Sequence, residues 1–103
     1  MKVYIIKSID RKLSLKDVAH AKNLTMEELL TEIERIVSSG TRLDINYYVE
    51  EHVDEYHQED ILDYFSEAET DSIDEALEEL GEAEYNEEEI RLMRIKYLSE
   101  VGN

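Results

Sequence analysis

The chain has 103 residues, a net charge of −16, 37% charged and 42% hydrophobic residues, and neither cysteine nor proline. That length suits one small domain with one core, and the apolar share is too high for a disordered acidic tail. The lack of cysteine excludes disulfides and thiolate metal sites, no apolar run can span a bilayer, and the start MKVYIIKSIDRK is charged too early for a signal peptide, so a soluble, cytoplasmic protein without a membrane partner is expected.

In chain order, Lys2–Ile9 (KVYIIKSI) is open between two readings. Its β-branched residues suit a strand, while Val3, Ile6 and Ile9 repeat every three residues as a short helix face would. Ser14 to about Lys22 predicts a helix with a capping pair from Ser14 and Asp17 and an apolar face of Leu15, Val18 and Ala19. Thr25–Ser39 is the strongest helix: Thr25 and Glu28 form a capping box, Met26, Leu29, Leu30, Ile33, Ile36 and Val37 recur at helical spacing, and Gly40 stops it. Asp44 to about His52 predicts a short helix capped by Asp44, with Ile45, Tyr48 and Val49 on one face. After a break near Val53–Asp54, about Glu55–Glu69 carries Ile61, Leu62, Phe65 and Ala68 on one side. Ser72–Leu80 has a capping box from Ser72 and Glu75 and ends at Gly81. Glu87–Val101 is capped by Asn86 with Glu89, and its apolar set is too wide for one stripe, which predicts burial on several sides.

The stretch Leu13–Gly40, LSLKDVAHAKNLTMEELLTEIERIVSSG, meets the steric needs of a helix-turn-helix. Ala19 is the small residue that lets two helices cross closely. Asn23 supplies the left-handed backbone of the turn, Leu24 plugs the corner, and Thr25 caps the second helix. That second helix has outward positions Glu27, Glu28, Thr31, Glu32 and Glu34, which repel phosphates and disfavour sequence-specific base reading. Charge is unevenly placed: residues 1–22 hold Lys2, Lys7, Arg11, Lys12, Lys16 and Lys22 against Asp10 and Asp17, a net +4, leaving −20 on the rest. Any contact with a polyanion is therefore expected near the start, with Arg11, Lys12, Lys16 and Lys22 as candidates for weak, non-sequence-specific contact with a DNA backbone.

The order of pieces, from the helix-turn-helix through LDINYYVEEHV, ILDYFSEAE and SIDEALEELG to the closing YNEEEIRLMRIKYL, resembles the C-terminal helix-turn-helix domain of bacterial RecQ-type ATP-dependent DNA helicases, over essentially the whole chain. The closing part is the more distinctive. The resemblance implies an all-α fold: a winged-helix-like, helix-turn-helix tri-helical core in which Lys2–Ile9 is the first helix, then three or four further amphipathic helices. It implies one helical domain over residues 1–103, with a helix-turn-helix half at 1–43 and a C-terminal half at 44–103. It also implies an accessory domain of a larger motor that acts in DNA repair and recombination, with DNA and the helicase core of the same polypeptide as partners and the nucleoid as the site of action. ATP and magnesium belong to the parent. The chain has no G-x-x-x-x-G-K-[ST] motif and no four-cysteine zinc site, and none of the family's catalytic residues maps onto it, so no catalytic residue, metal or cofactor is assigned here.

A second function stays in view, an acidic protein–protein interaction module on the same fold with a basic partner. Tyr47, Tyr48, Tyr56 and Tyr64 are its candidate contacts, because aromatic residues in an acidic setting suit core edges or protein surfaces better than base stacking. His52 and His57 lie five apart, outside the i, i+4 spacing of a zinc helix, and read as partly exposed residues at a helix junction.

Overall fold

The first nine residues after Met1 form a helix, not a strand, because their apolar side chains meet the core only at helical spacing. In the computed structural model, which describes residues 1–101, α1 (Lys2–Asp10) buries Ile5, Ser8 and Ile9. The face differs from the one the sequence predicts. Val3 is 62% exposed and Ile6 half-buried, so the stripe is set by the i, i+3 and i+4 relation of Ile5, Ser8 and Ile9. Then follow α2 (Leu15–Ala21), α3 (Met26–Ser38), α4 (Asn46–His52), α5 (Glu55–Glu67), α6 (Ile73–Leu80) and α7 (Glu87–Val101). The described residues contain no strand, so the fold is all-α and the tri-helical core of α1, α2 and α3 carries no β-wing. The last two residues of the domain expected from the sequence lie outside the described residues.

The first three helices end in the same way. Lys12, Asn23 and Gly40 each have positive φ (58°, 61° and 105°) just past a helix. At each, two bonds close the helix. Lys12 N donates to Ile9 O and Leu13 N to Ser8 O, Asn23 N to His20 O and Leu24 N to Ala19 O, and Gly40 N to Val37 O and Thr41 N to Ile36 O. This is the Schellman arrangement, which satisfies the orphan carbonyls of the last turn and reverses the chain sharply. Asn23 and Gly40 are residues suited to that backbone; Lys12 is not, and the bonds of its own backbone and of Leu13 to α1 hold it there.

Helix starts divide into those capped as the sequence predicts and those that are not. Thr25 and Glu28 form the reciprocal box, with Thr25 N donating to Glu28 at 2.9 Å and Glu28 N to Thr25 at 3.1 Å. Asn86 and Glu89 do the same at 3.1 and 2.8 Å. Ser72 accepts from Glu75 N at 3.3 Å, but the Glu75 carboxylate takes the Thr70 hydroxyl at 2.6 Å, so that box is only half formed. Ser14 makes no side-chain cap bond, and α2 starts from its carbonyl alone. Asp44 is not the cap of α4: Ile45 holds that position without a side-chain bond, and Asp44, one residue earlier, accepts from Asn46 N at 3.0 Å.

The wide apolar set of α7 has its explanation in packing: it lies against α3, α4, α5 and α6. Ile90, Leu92, Met93 and Ile95 are all buried, and the core runs from Ile5 and Leu15 through Leu29, Ile33 and Tyr48 to Ile61 and these residues. Polar groups fix the corners. Gln58 Nε2 donates to Val53 O at 2.8 Å across the α4–α5 bend, and Leu43 N donates to the buried Ser99 hydroxyl at 3.3 Å. No helix among the described residues is long and apolar enough to cross a membrane.

Candidate nucleic-acid interface

The basic candidates sit on one corner of the tri-helical core. Arg11 and Lys12 form the α1–α2 turn, Lys16 lies in the first turn of α2, and Lys22 follows its end. All four are exposed, and no ion pair engages Arg11, Lys12 or Lys16 among the described residues. Lys22 is partly committed, its Nζ lying 4.4 Å from the centre of the Tyr4 ring. The turn is held from behind by α4: the Tyr47 hydroxyl donates to Leu13 O at 2.6 Å. Burial, together with Tyr48 and Asp44, pushes the Tyr47 hydroxyl up to about 12, so it stays a donor.

The second helix of the motif is not a free reading head. Glu34, an outward position by sequence, is 14% exposed in its side chain and lies under two arginines of α7. Arg91 reaches it at 2.5 Å and also donates to the Thr31 hydroxyl at 3.0 Å, and Arg94 holds its other carboxylate oxygen. Arg94 further donates to Asp71 O at 2.9 Å. The exposed remainder of the helix is Glu27, Glu28, Thr31, Arg35 and Ser38. Phosphates approaching this face meet carboxylates at its amino-terminal end and α7 along its flank. The Arg91 and Arg94 roles were not visible in the sequence, where their late position in an acidic-start helix already accounts for them through the helix dipole.

The tyrosine candidates are not brought together. Tyr48 is fully buried, with its ring stacked on His52 at 4.0 Å, and so is a core residue and not a contact for a partner. Its place on the face shared with Ile45 and Val49 is the reason. Tyr47 is half-buried with its hydroxyl used internally, and Tyr64 is half-buried against Phe65. Only Tyr56, at 67% exposure, stands free on the surface. The two histidines also differ. His52 is the more exposed, whereas His57 is half-buried and bonded to Glu89 across 2.7 Å, a long-range contact that spacing alone does not reveal.

Among known families, residues 1–49 match the model of the RecQ-1-like helix-turn-helix domain. No curated protein matches the chain. The matched span takes in the tri-helical core with its acidic α3, the basic corner and the start of α4, and leaves α5, α6 and α7 outside it. Over residues 1–49, a little under half of its length, this all-helical chain is therefore similar to a helix-turn-helix domain of the RecQ-1-like family.

Proposed function

We propose that this chain serves as a non-catalytic accessory domain of a RecQ-like ATP-dependent DNA helicase, guiding DNA or positioning the motor during repair and recombination. In this reading the α1–α2 corner touches the DNA backbone weakly and without sequence preference. The observation that carries it is the set of exposed, unpaired cations at Arg11, Lys12 and Lys16 within a RecQ-1-like helix-turn-helix. The acidic second helix argues against base reading, so backbone contact is the form of DNA binding that the charges support.

The test is fluorescence anisotropy with duplex, forked and single-stranded DNA at low salt. Charge reversal at Lys12 and Lys16 together is expected to abolish measurable binding. Unchanged binding in that variant rules the corner out.

A second reading is favoured by two observations. The groove side of α3 is flanked by α7, and the surface beyond residue 22 is strongly acidic. Both suit an interaction module that docks a basic protein surface, including that of the helicase core. Pull-down of the core by this chain, lost when the salt concentration is raised, distinguishes it from a DNA-guiding role.

A further inference from the structure

α7 is fastened at two places of different chemistry. Toward α3 it uses Arg91 and Arg94 on Glu34, groups whose charges persist across the neutral and alkaline range. Toward α5 it uses His57 Nδ1 against Glu89 Oε2 at 2.7 Å, with side chains 15% and 13% exposed. Histidine is the residue whose charge changes near neutrality.

The surroundings of His57 are built for a cation. On α5 itself, the Asp54 carboxylate lies 3.9 Å from Nε2 and also caps the helix by accepting from His57 N at 3.0 Å. From the turn before α7, Glu84 lies 3.8 Å from Nε2. The Tyr85 ring covers the imidazole at 4.2 Å and is fixed in turn by its hydroxyl, which donates to Asp60 of α5 at 2.5 Å. From α7, Glu89 presents one oxygen to the ring while the other accepts from Asn86 N, so the ring reads the carboxylate that starts α7. No cationic side chain pairs with Asp54, Glu84 or Glu89 apart from His57 itself among the described residues.

We propose that the His57–Glu89 contact is a pH-sensitive clasp that fastens the amino-terminal end of α5 to the start of α7, while the Glu34 latch to α3 stays shut on both sides of its transition. The hydrogen bond to Glu89 raises the His57 pKa above 6.5; burial opposes this, and Glu89, Asp54 and Glu84 add to the rise through their charge. The sign follows. A group whose folded value lies above its unfolded one stabilises fully below about 6.5, and the contribution is lost as pH rises through the folded value. Alkaline conditions therefore loosen α5 and the turn carrying Tyr85, while α3 and the basic corner keep their packing. The clasp does not depend on whether the chain binds DNA.

The experiment is NMR titration of the His57 imidazole in the full chain, with amide hydrogen exchange of α5 and α3 corrected for intrinsic rates across the same pH range. His57 is expected to titrate above 6.5. Amides of Gln58 and Ile61 should lose protection through that transition, about tenfold for a folded value one pH unit above the free one, while those of Ile33 and Ile36 hold. Glu89→Gln keeps an oxygen for the Asn86 cap and should move the transition to lower pH. His57→Gln should abolish it, and His52→Gln should leave it in place. Titration of wild-type His57 at or below 6.5 overturns the proposal, whether or not the variants fold. So does an unchanged pH step in His57→Gln, or loss of α3 protection together with α5.

Discussion

Lys12 carries two separable properties, a strained backbone and an exposed charge. Its φ of 58° lies where a Cβ meets the backbone, and glycine there relieves a penalty of about 1 kcal/mol. Lys12→Gly is expected to raise the unfolding midpoint in urea while weakening DNA binding, so denaturation and anisotropy on one variant should move in opposite directions. Tyr48 presents the reverse case, a polar atom without use. Its hydroxyl is buried and has no hydrogen-bond partner among the described residues, and burial, followed by Glu88 and Glu51, raises its pKa. Removing an unsatisfied buried hydroxyl is neutral or stabilising, so Tyr48→Phe should leave stability unchanged or raise it by up to about 1 kcal/mol, as read by thermal unfolding. A clear loss of stability would mean that the hydroxyl has found a partner, such as a buried water.

At the scale of elements, the contact between α3 and α7 decides what the helix-turn-helix can present. Glu34 neutralises part of two half-buried guanidiniums, and Glu34→Gln leaves them facing each other without a counter-charge. The expected cost is on the order of 2 kcal/mol, that of a lost charged hydrogen bond and below that of a broken, fully buried pair. Glu27→Gln, at an exposed position of the same helix, should change stability by less than about 0.5 kcal/mol. Equal effects of the two in urea denaturation would remove the latch. The elements themselves were readable in the sequence wherever two independent signals agreed. For α3 and α7 a reciprocal cap and a following apolar pattern coincide, and their starts are as expected. For α1 the signals conflicted: β-branched residues favoured a strand, and the three-residue repeat picked Val3 and Ile6 where Ile5 and Ser8 are buried. For Ser14 the capping pattern was present without the bond.

At the scale of the molecule, the charges are segregated into a small positive corner and a large negative remainder. Association with DNA through Arg11, Lys12 and Lys16 should release about three counterions, giving a slope near −3 in a plot of log K against log salt concentration. The acidic remainder is expected to keep that affinity low in absolute terms, and a slope near zero would show that these cations do not meet phosphates.

The residues alone determined the helical class, the Asn23 turn, the capped start of α3 and the polarity of the surface. Each of these rests on local sterics or on a count of charges, which need no knowledge of distant neighbours. Which face of α1 is buried, that Tyr48 belongs to the core, that Arg91 and Arg94 seize Glu34 and that His57 meets Glu89 were decided by tertiary structure. Those pairings join residues 32 to 60 positions apart. A side chain's spacing along its own helix defines the direction it faces, but only the packing of α7 among four other helices defines what it meets there.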